Sequence, residues 1–245
     1  MTRRLRTTLL NVGAIIALVL ALGVGAGPSR ATEATALKVT AAPGSKPLLK
    51  PSSTPYRHTG RSAVALTFDD GPDPRWTPQV LSLLRRYHVK ATFCLIGVEV
   101  KAHPNLVRKI AADGHTLCNH TMRHDQKLKT KSRSAIDADL RATSALITRA
   151  SGGVKPKYFR APAGNWSGVI VSVARKQGMA SIGWSVDPRD WAKPPSSTIV
   201  SRVRAGVAPG AIVLMHDGGG DRSRTVAACK VLLPKLTSKY RLTRL

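Results

Sequence analysis

Two histidines four residues apart, His120 and His124, are the first positions in this 245-residue chain that suggest reaction chemistry. An i, i+4 pair puts two imidazoles on one face if the segment is helical, an arrangement suited to gripping a transition metal. Alone, the pair describes two surface histidines equally well. A third ligand decides between the two, and Asp70, in Thr67-Phe-Asp-Asp-Gly-Pro72, offers a carboxylate. Two imidazoles and one carboxylate leave coordination positions open for water and substrate. The neighbouring Asp69 then has a separate task. One carboxylate of the pair binds the ion, and the other stays free as a general base that takes a proton from activated water. The plain alternative for Asp69-Asp70 is a helix cap or an Asx-turn before Gly71-Pro72.

His216 closes the apolar run Ala211-Ile-Val-Leu-Met215. It is read either as a structural histidine or as a general acid across the site, kept charged by an acidic partner for which Asp190 is available. Arg160 could hold the free Asp69 through a charge-assisted bond; the alternative is a surface salt bridge. Ala163-Gly164 follows a strand and precedes a helix, so backbone N–H groups there could bind an oxyanion.

These residues need elements that bring them together. Short apolar runs mark seven strands: Val64–Phe68, Ala91–Ile96, His115–Asn119, Tyr158–Arg160, Ser181–Val186, Ala211–His216 and Tyr240–Leu245. Between them lie six helical patterns. The first is capped by Thr77 with Pro78 at its first position, and the second opens at Pro104 and stops at Gly114. The others cover about 134–150, 167–177, 197–205 and 225–236. Strict alternation with fully apolar strands implies an α/β single domain on a parallel sheet, either doubly wound or a small barrel. In such folds reactive side chains gather at the C-terminal strand ends. Asp69-Asp70, His120, Arg160, Asp187-Pro-Arg-Asp190 and His216-Asp217 all fall there.

The formal net charge is +26, from 39 Lys and Arg against 13 Asp and Glu. Such an excess attracts polyanions, among them anionic cell-wall polymers. A specific nucleic-acid binder is disfavoured, since no helix-turn-helix or zinc-finger spacing occurs and aromatics are 4%, too few for base-stacking platforms. Residues 1–31 read as a cleaved secretory signal peptide: Arg3, Arg4 and Arg6, an apolar run Val12–Gly25 too short to span a bilayer stably, then Ser29-Arg30-Ala31. Residues 32–60 are rich in Thr, Ala, Pro, Ser and Lys and read as a flexible linker, leaving 61–245 as the catalytic domain. Cys94 and Cys118 fall on consecutive strands, as a disulfide or as two buried thiols, and Cys229 is left over.

The ordered segments Thr67–Pro72, His120–His124, Arg160–Gly164, Asp187–Trp191 and Leu214–His216 resemble the five motifs of the polysaccharide deacetylase family, also called the NodB-like family or carbohydrate esterase family four. The resemblance spans about 61–245. It implies a distorted (β/α) barrel of about seven parallel strands and metal-dependent removal of acetyl groups from carbohydrate. It also implies roles. Asp69 would be the base, oriented by Arg160, and Asp70, His120 and His124 the ligands of a divalent metal, zinc or cobalt. His216 would be the acid tuned by Asp190, the Ala163 N–H an oxyanion donor, and Trp191 and Leu214 the walls of the acetyl pocket. One departure stands out: the family places an aromatic residue where this chain has Ala163, and Trp166 either fills part of that gap or packs in the core. The expected protein is a secreted, monomeric deacetylase of N-acetylglucosamine polymers, peptidoglycan or chitin-like. The alternatives are an acetyl xylan esterase of the same family and, in another class, a non-catalytic basic wall-binding protein.

Overall fold

The structure is a computed structural model that describes residues 47–245. The expected signal peptide and most of the expected linker lie outside those residues. The elements run β1 (Val64–Asp69), α1 (Thr77–Arg86), β2 (Thr92–Leu95), α2 (Gly97–Ala102), α3 (Pro104–Ala112), β3 (Thr116–Asn119) and α4 (Arg133–Ala150). They continue with β4 (Tyr158–Phe159), α5 (Gly168–Lys176), β5 (Ala180–Ser181), α6 (Ser196–Gly206), β6 (Ile212–His216), α7 (Ser223–Lys239) and β7 (Leu242–Thr243). All strand pairs are parallel, in the order β5-β4-β3-β2-β1-β6, with β7 on the lower part of β1.

The sheet curls because its alternating faces bury different things. Outward residues Val64, Leu66 and Phe68 of β1 join Phe93, Val213 and Met215 in the large core beneath the helices. Inward residues Ala65, Cys94, Cys118, Tyr158, Ala180, Ile182 and Ile212 form a second apolar cluster with Leu49 and Leu245, the filling of a narrow barrel. The helices follow their apolar stripes. In α1, Pro78 supplies a ready-made first turn and Val80, Leu81 and Leu84 are buried. Ser132 and Ser167 accept hydrogen bonds from Ala135 N–H and Ile170 N–H and so cap α4 and α5. Among the described residues no helix is long and apolar enough to cross a membrane.

Four expectations need correction. Thr77 does not cap α1; its hydroxyl accepts from Asp73 N–H and donates to the Asp217 carboxylate. Two helices, not one, join β2 to β3, because the six-residue α2 begins directly after β2. The fifth strand is broken: 180–181 pairs with β4, and Ser185 and Val186 then bond to β6. The linker ends earlier than residue 60. Tyr56 inserts its backbone into the break, with Tyr56 N–H on Ser181 O at 2.9 Å and Gly183 N–H on Tyr56 O at 2.7 Å. Leu49 is buried in the barrel interior, and its N–H donates to the Tyr158 hydroxyl.

Cys94 and Cys118 face each other across β2 and β3 and are joined as a disulfide, whereas Cys229 is a buried free thiol on α7. Alkylation of the denatured, unreduced protein is expected to add one label, and intact-mass measurement checks it. Cys94→Ala/Cys118→Ala is expected to lose about 3 kcal/mol, the entropy released by opening a loop of this length, read from urea midpoints.

Candidate active site

Register brings the chemistry together. Asp69 pairs with His216 across β1 and β6, so both side chains project from the same layer of the inward face. Arg160 follows β4 on that face and is fully buried. Its Nη1 lies 2.7 Å from Asp69 Oδ1 and 2.9 Å from Thr67 Oγ1. Its remaining donors reach the carbonyls of Ile182 (3.3 Å) and Gly183 (2.9 Å), freed by the break in the fifth strand. The clamp occupies Asp69 Oδ1 and leaves Oδ2 facing the cleft, 3.6 Å from His120 Nε2.

His120 and His124 do converge, but not on a helix. They lie in the loop after β3, where Thr121 (φ 68°) and His124 (φ 53°) adopt left-handed backbone. Loop bonds offset the strain of such positions, about 1–3 kcal/mol each. Asn119 Oδ1 accepts from Thr121 N–H, and Asp139 accepts from Met122 N–H. The Asn119 amide in turn donates to Leu140 O and Ser144 Oγ on α4. His120 Nδ1 bonds the Arg160 carbonyl at 2.8 Å, which puts the proton there and the lone pair on Nε2. The Nε2 atoms of His120 and His124 each lie 3.5 Å from Asp70 Oδ1.

One ligand atom from each of Asp70, His120 and His124 falls within 4.8 Å of the others. Asp70 Oδ1 is buried with no hydrogen-bond donor. A buried carboxylate oxygen without a donor is costly unless a cation meets it, so the set fits a divalent ion. The electrostatics agree. Burial pushes the Asp70 carboxyl up, but His120, with His216 and His124, outweighs it and holds the group at about 2. Burial works against charging His120, yet Asp69 and Asp70 raise its pKa. The same negative field favours a metal cation.

On the opposite side, His216 Nδ1 lies 2.7 Å from Asp190 Oδ1, and Asp190 Oδ2 accepts from the His216 N–H and from Thr225 Oγ1. Burial lowers the His216 pKa, but the Asp190 bond and charge more than reverse it. Asp69, Asp70, His120, His124, Ala163, Trp191, Leu214 and His216 all line one cleft of about 410 Å³. Ala163 is left-handed (φ 52°), as is Asp70 (φ 72°), and Trp191 stands 45% exposed at the rim with Arg189 over its ring. Arg160 and Asp190 lie directly behind this cleft, each bonded to a residue that lines it.

Two contributors, Trp184 and Arg222, escaped the sequence reading, and Asp217 was read there only as a strand-end residue with no role. Trp184 supplies the aromatic wall of the cleft beside Ala163; Trp166 packs edge-on against Phe159 and lines only the hollow next to the cleft. Asp217 is wholly buried behind the Asp70 turn, flat against Gly71, where a Cβ would meet its oxygens at 2.6 Å. Burial is the main reason its carboxyl is pushed up to about 7, against the pull of the Thr77 hydroxyl. Arg222 donates to the carbonyls of Gly218 and Gly219, and a Cβ at Gly219 would reach Asp70 Oδ2 at 2.6 Å, so this loop must stay free of side chains.

The polysaccharide deacetylase family model matches residues 56–182. A chitooligosaccharide deacetylase of Bradyrhizobium sp. (strain ANU 289) is 43% identical over 189 residues, covering 73% of this chain and 86% of that protein. A peptidoglycan-N-acetylglucosamine deacetylase of Bacillus cereus is 43% identical over 176 residues, covering 71% of this chain and 81% of that protein. The solved structure of the Bc1960 peptidoglycan N-acetylglucosamine deacetylase superposes with a TM-score of 0.72 at 34% identity, covering 76% of this chain and 86% of that one. A match that begins at the inserted Tyr56 and runs into the broken fifth strand, with relatives this similar across most of their own length, means that the chain belongs to the polysaccharide deacetylase family.

Proposed function

We propose that the protein is a secreted, metal-dependent deacetylase that hydrolyses the N-acetyl groups of N-acetylglucosamine polymers. The observation that carries this is the joint placement of a metal-ligand triad, a clamped carboxylate and a His–Asp pair around one cleft. Asp70, His120 and His124 would hold a divalent ion, proposed to be zinc, which supplies Lewis acidity and water activation. Asp69 is the base: Arg160 fixes Oδ1, so Oδ2 is left to accept the proton of the attacking water. The Ala163 N–H and the triad side of the cleft flank the acetyl carbonyl where negative charge develops. Leu214, buried at the cleft wall, and Trp191 at the rim enclose the acetyl methyl. His216, oriented by Asp190, gives its proton to the departing amine, leaving acetate and a free glucosamine unit. Secretion is supported by the leader-like residues 1–31 and by the disulfide, which belongs in an oxidising compartment. Exposed Arg85, Arg86, Arg108, Lys109 and Arg175 on the outer helices suit association with an anionic wall.

Chelator-sensitive acetate release from chito-oligosaccharides is the expected result. Release confined to acetylated xylan would make the protein an esterase, and no release with no bound metal would make it a wall-binding protein. Asp69→Asn and His216→Ala are each expected to lower kcat/KM by about 10²–10⁴-fold with an unchanged circular dichroism spectrum. His124→Ala should fold but lose its metal on dialysis, as elemental analysis would show. The reaction needs charged His216, so the rate should fall as pH rises through its raised pKa. Asp190→Asn removes the charge that raises it, and the alkaline limb of the kcat/KM profile should move to lower pH.

A further inference from the structure

A second hollow, of about 220 Å³, adjoins the cleft, and Ala163 and Trp184 line both. Trp166 and Trp184 stand in its walls, and Gly164 and Gly183 form part of its surface. Two features keep it open. Residue 163 carries only a methyl group. Residue 164 cannot carry one, since a Cβ there would come within 2.8 Å of the Trp184 ring and its φ is +66°. Trp184 is also held from behind by the Arg160 guanidinium, 5.7 Å from its ring centroid. The cationic group is Arg57, exposed at the edge, with its side-chain stem against Gly183. The backbone that carries Arg57 is anchored, because the neighbouring Tyr56 is laced into the broken strand by two backbone hydrogen bonds.

We propose that this hollow is a subsite for the sugar adjoining the one being deacetylated, and that it selects a neighbour bearing an acidic substituent. The inference rests on the deacetylase reading above. Continuity with the cleft places the next unit of the same chain there. Indole faces pack against the C–H faces of a sugar ring, and a guanidinium pairs with a carboxylate more strongly than with a neutral group. The substrate class is thus an alternating glycan in which every second unit carries a carboxylate, such as the lactyl acid of a muramic acid unit, in preference to a uniform neutral chito-oligosaccharide.

The test compares kcat/KM for acetate release from two soluble tetrasaccharides. One alternates N-acetylglucosamine with N-acetylmuramic acid, and the other is chitotetraose. The wild type should prefer the acidic substrate. Arg57→Ala should lower the acidic-to-neutral ratio by about tenfold and Arg57→Glu by more, with the effect shrinking as salt is raised. An unchanged ratio in both variants, or a wild-type preference for chitotetraose, would overturn the subsite. Binding to the inactive Asp69→Asn protein gives a second reading, since the acidic ligand should change tryptophan fluorescence at lower concentration than chitotetraose. Tight binding of the acidic ligand without wild-type turnover of either substrate would refute the deacetylase reading while sustaining the subsite. Absence of both would refute the two together.

Discussion

A guanidinium wholly withdrawn from water organises this molecule. Arg160 crosses the barrel interior from β4 to β1, and among the described residues its ion-pair partner is Asp69. Charges in such a place are costly unless each nitrogen finds an acceptor, and removing one partner from a buried pair costs about 3–5 kcal/mol. The fold meets that requirement by breaking its own fifth strand. The carbonyls of Ile182 and Gly183, which a continuous strand could spend on a neighbour, go to Arg160 instead. The gap left behind is repaired by the backbone of Tyr56. One interaction thus links the orientation of a carboxylate, the irregularity of the barrel and the docking of an upstream segment.

The same economy governs the rest of the mouth. Asp69 and His216 are opposed through strand register, so their separation is set by the ladder and not by flexible loops. The backbone at Asp70, His124 and Ala163 is left-handed; Asn119 and Asp139 tie down the loop that carries His124, and Arg222 holds the Gly218–Gly219 loop that packs on Asp70. Strain collected at a functional rim and supported from a regular scaffold is the usual division of labour in such folds.

The parts of this arrangement legible in the sequence were those with local causes. Long apolar strands such as Ile212–His216, proline-opened helices, and ionisable residues at strand ends all announce themselves within a few positions. What escaped depends on distant partners. The break at Gly183 is caused by residues 56 and 160, and no local pattern in Ser181–Val186 marks it. Residues 47–60 have the composition of a linker, yet Leu49 and Thr59 are buried by strands far along the chain. The six residues of α2 are too short to show a period. His120 and His124 have helical spacing but meet through left-handed turns, a geometry that their spacing did not announce. Trp184, inside an apparently uniform strand, gives the cleft the aromatic wall for which Trp166 was one of two readings.

The disulfide has a temporal meaning as well as an energetic one. Cys94 and Cys118 have no exposure and sit inside the barrel, in the apolar cluster bounded by Tyr158 and Leu49. A thiolate must approach a sulfur directly to exchange with it, and here no small fluctuation of a surface loop would let it in. Reduction must wait for the strands themselves to separate. The rate at which the bond yields to a reductant therefore times the opening of the barrel, so loss of the disulfide is governed by a barrier rather than by an equilibrium.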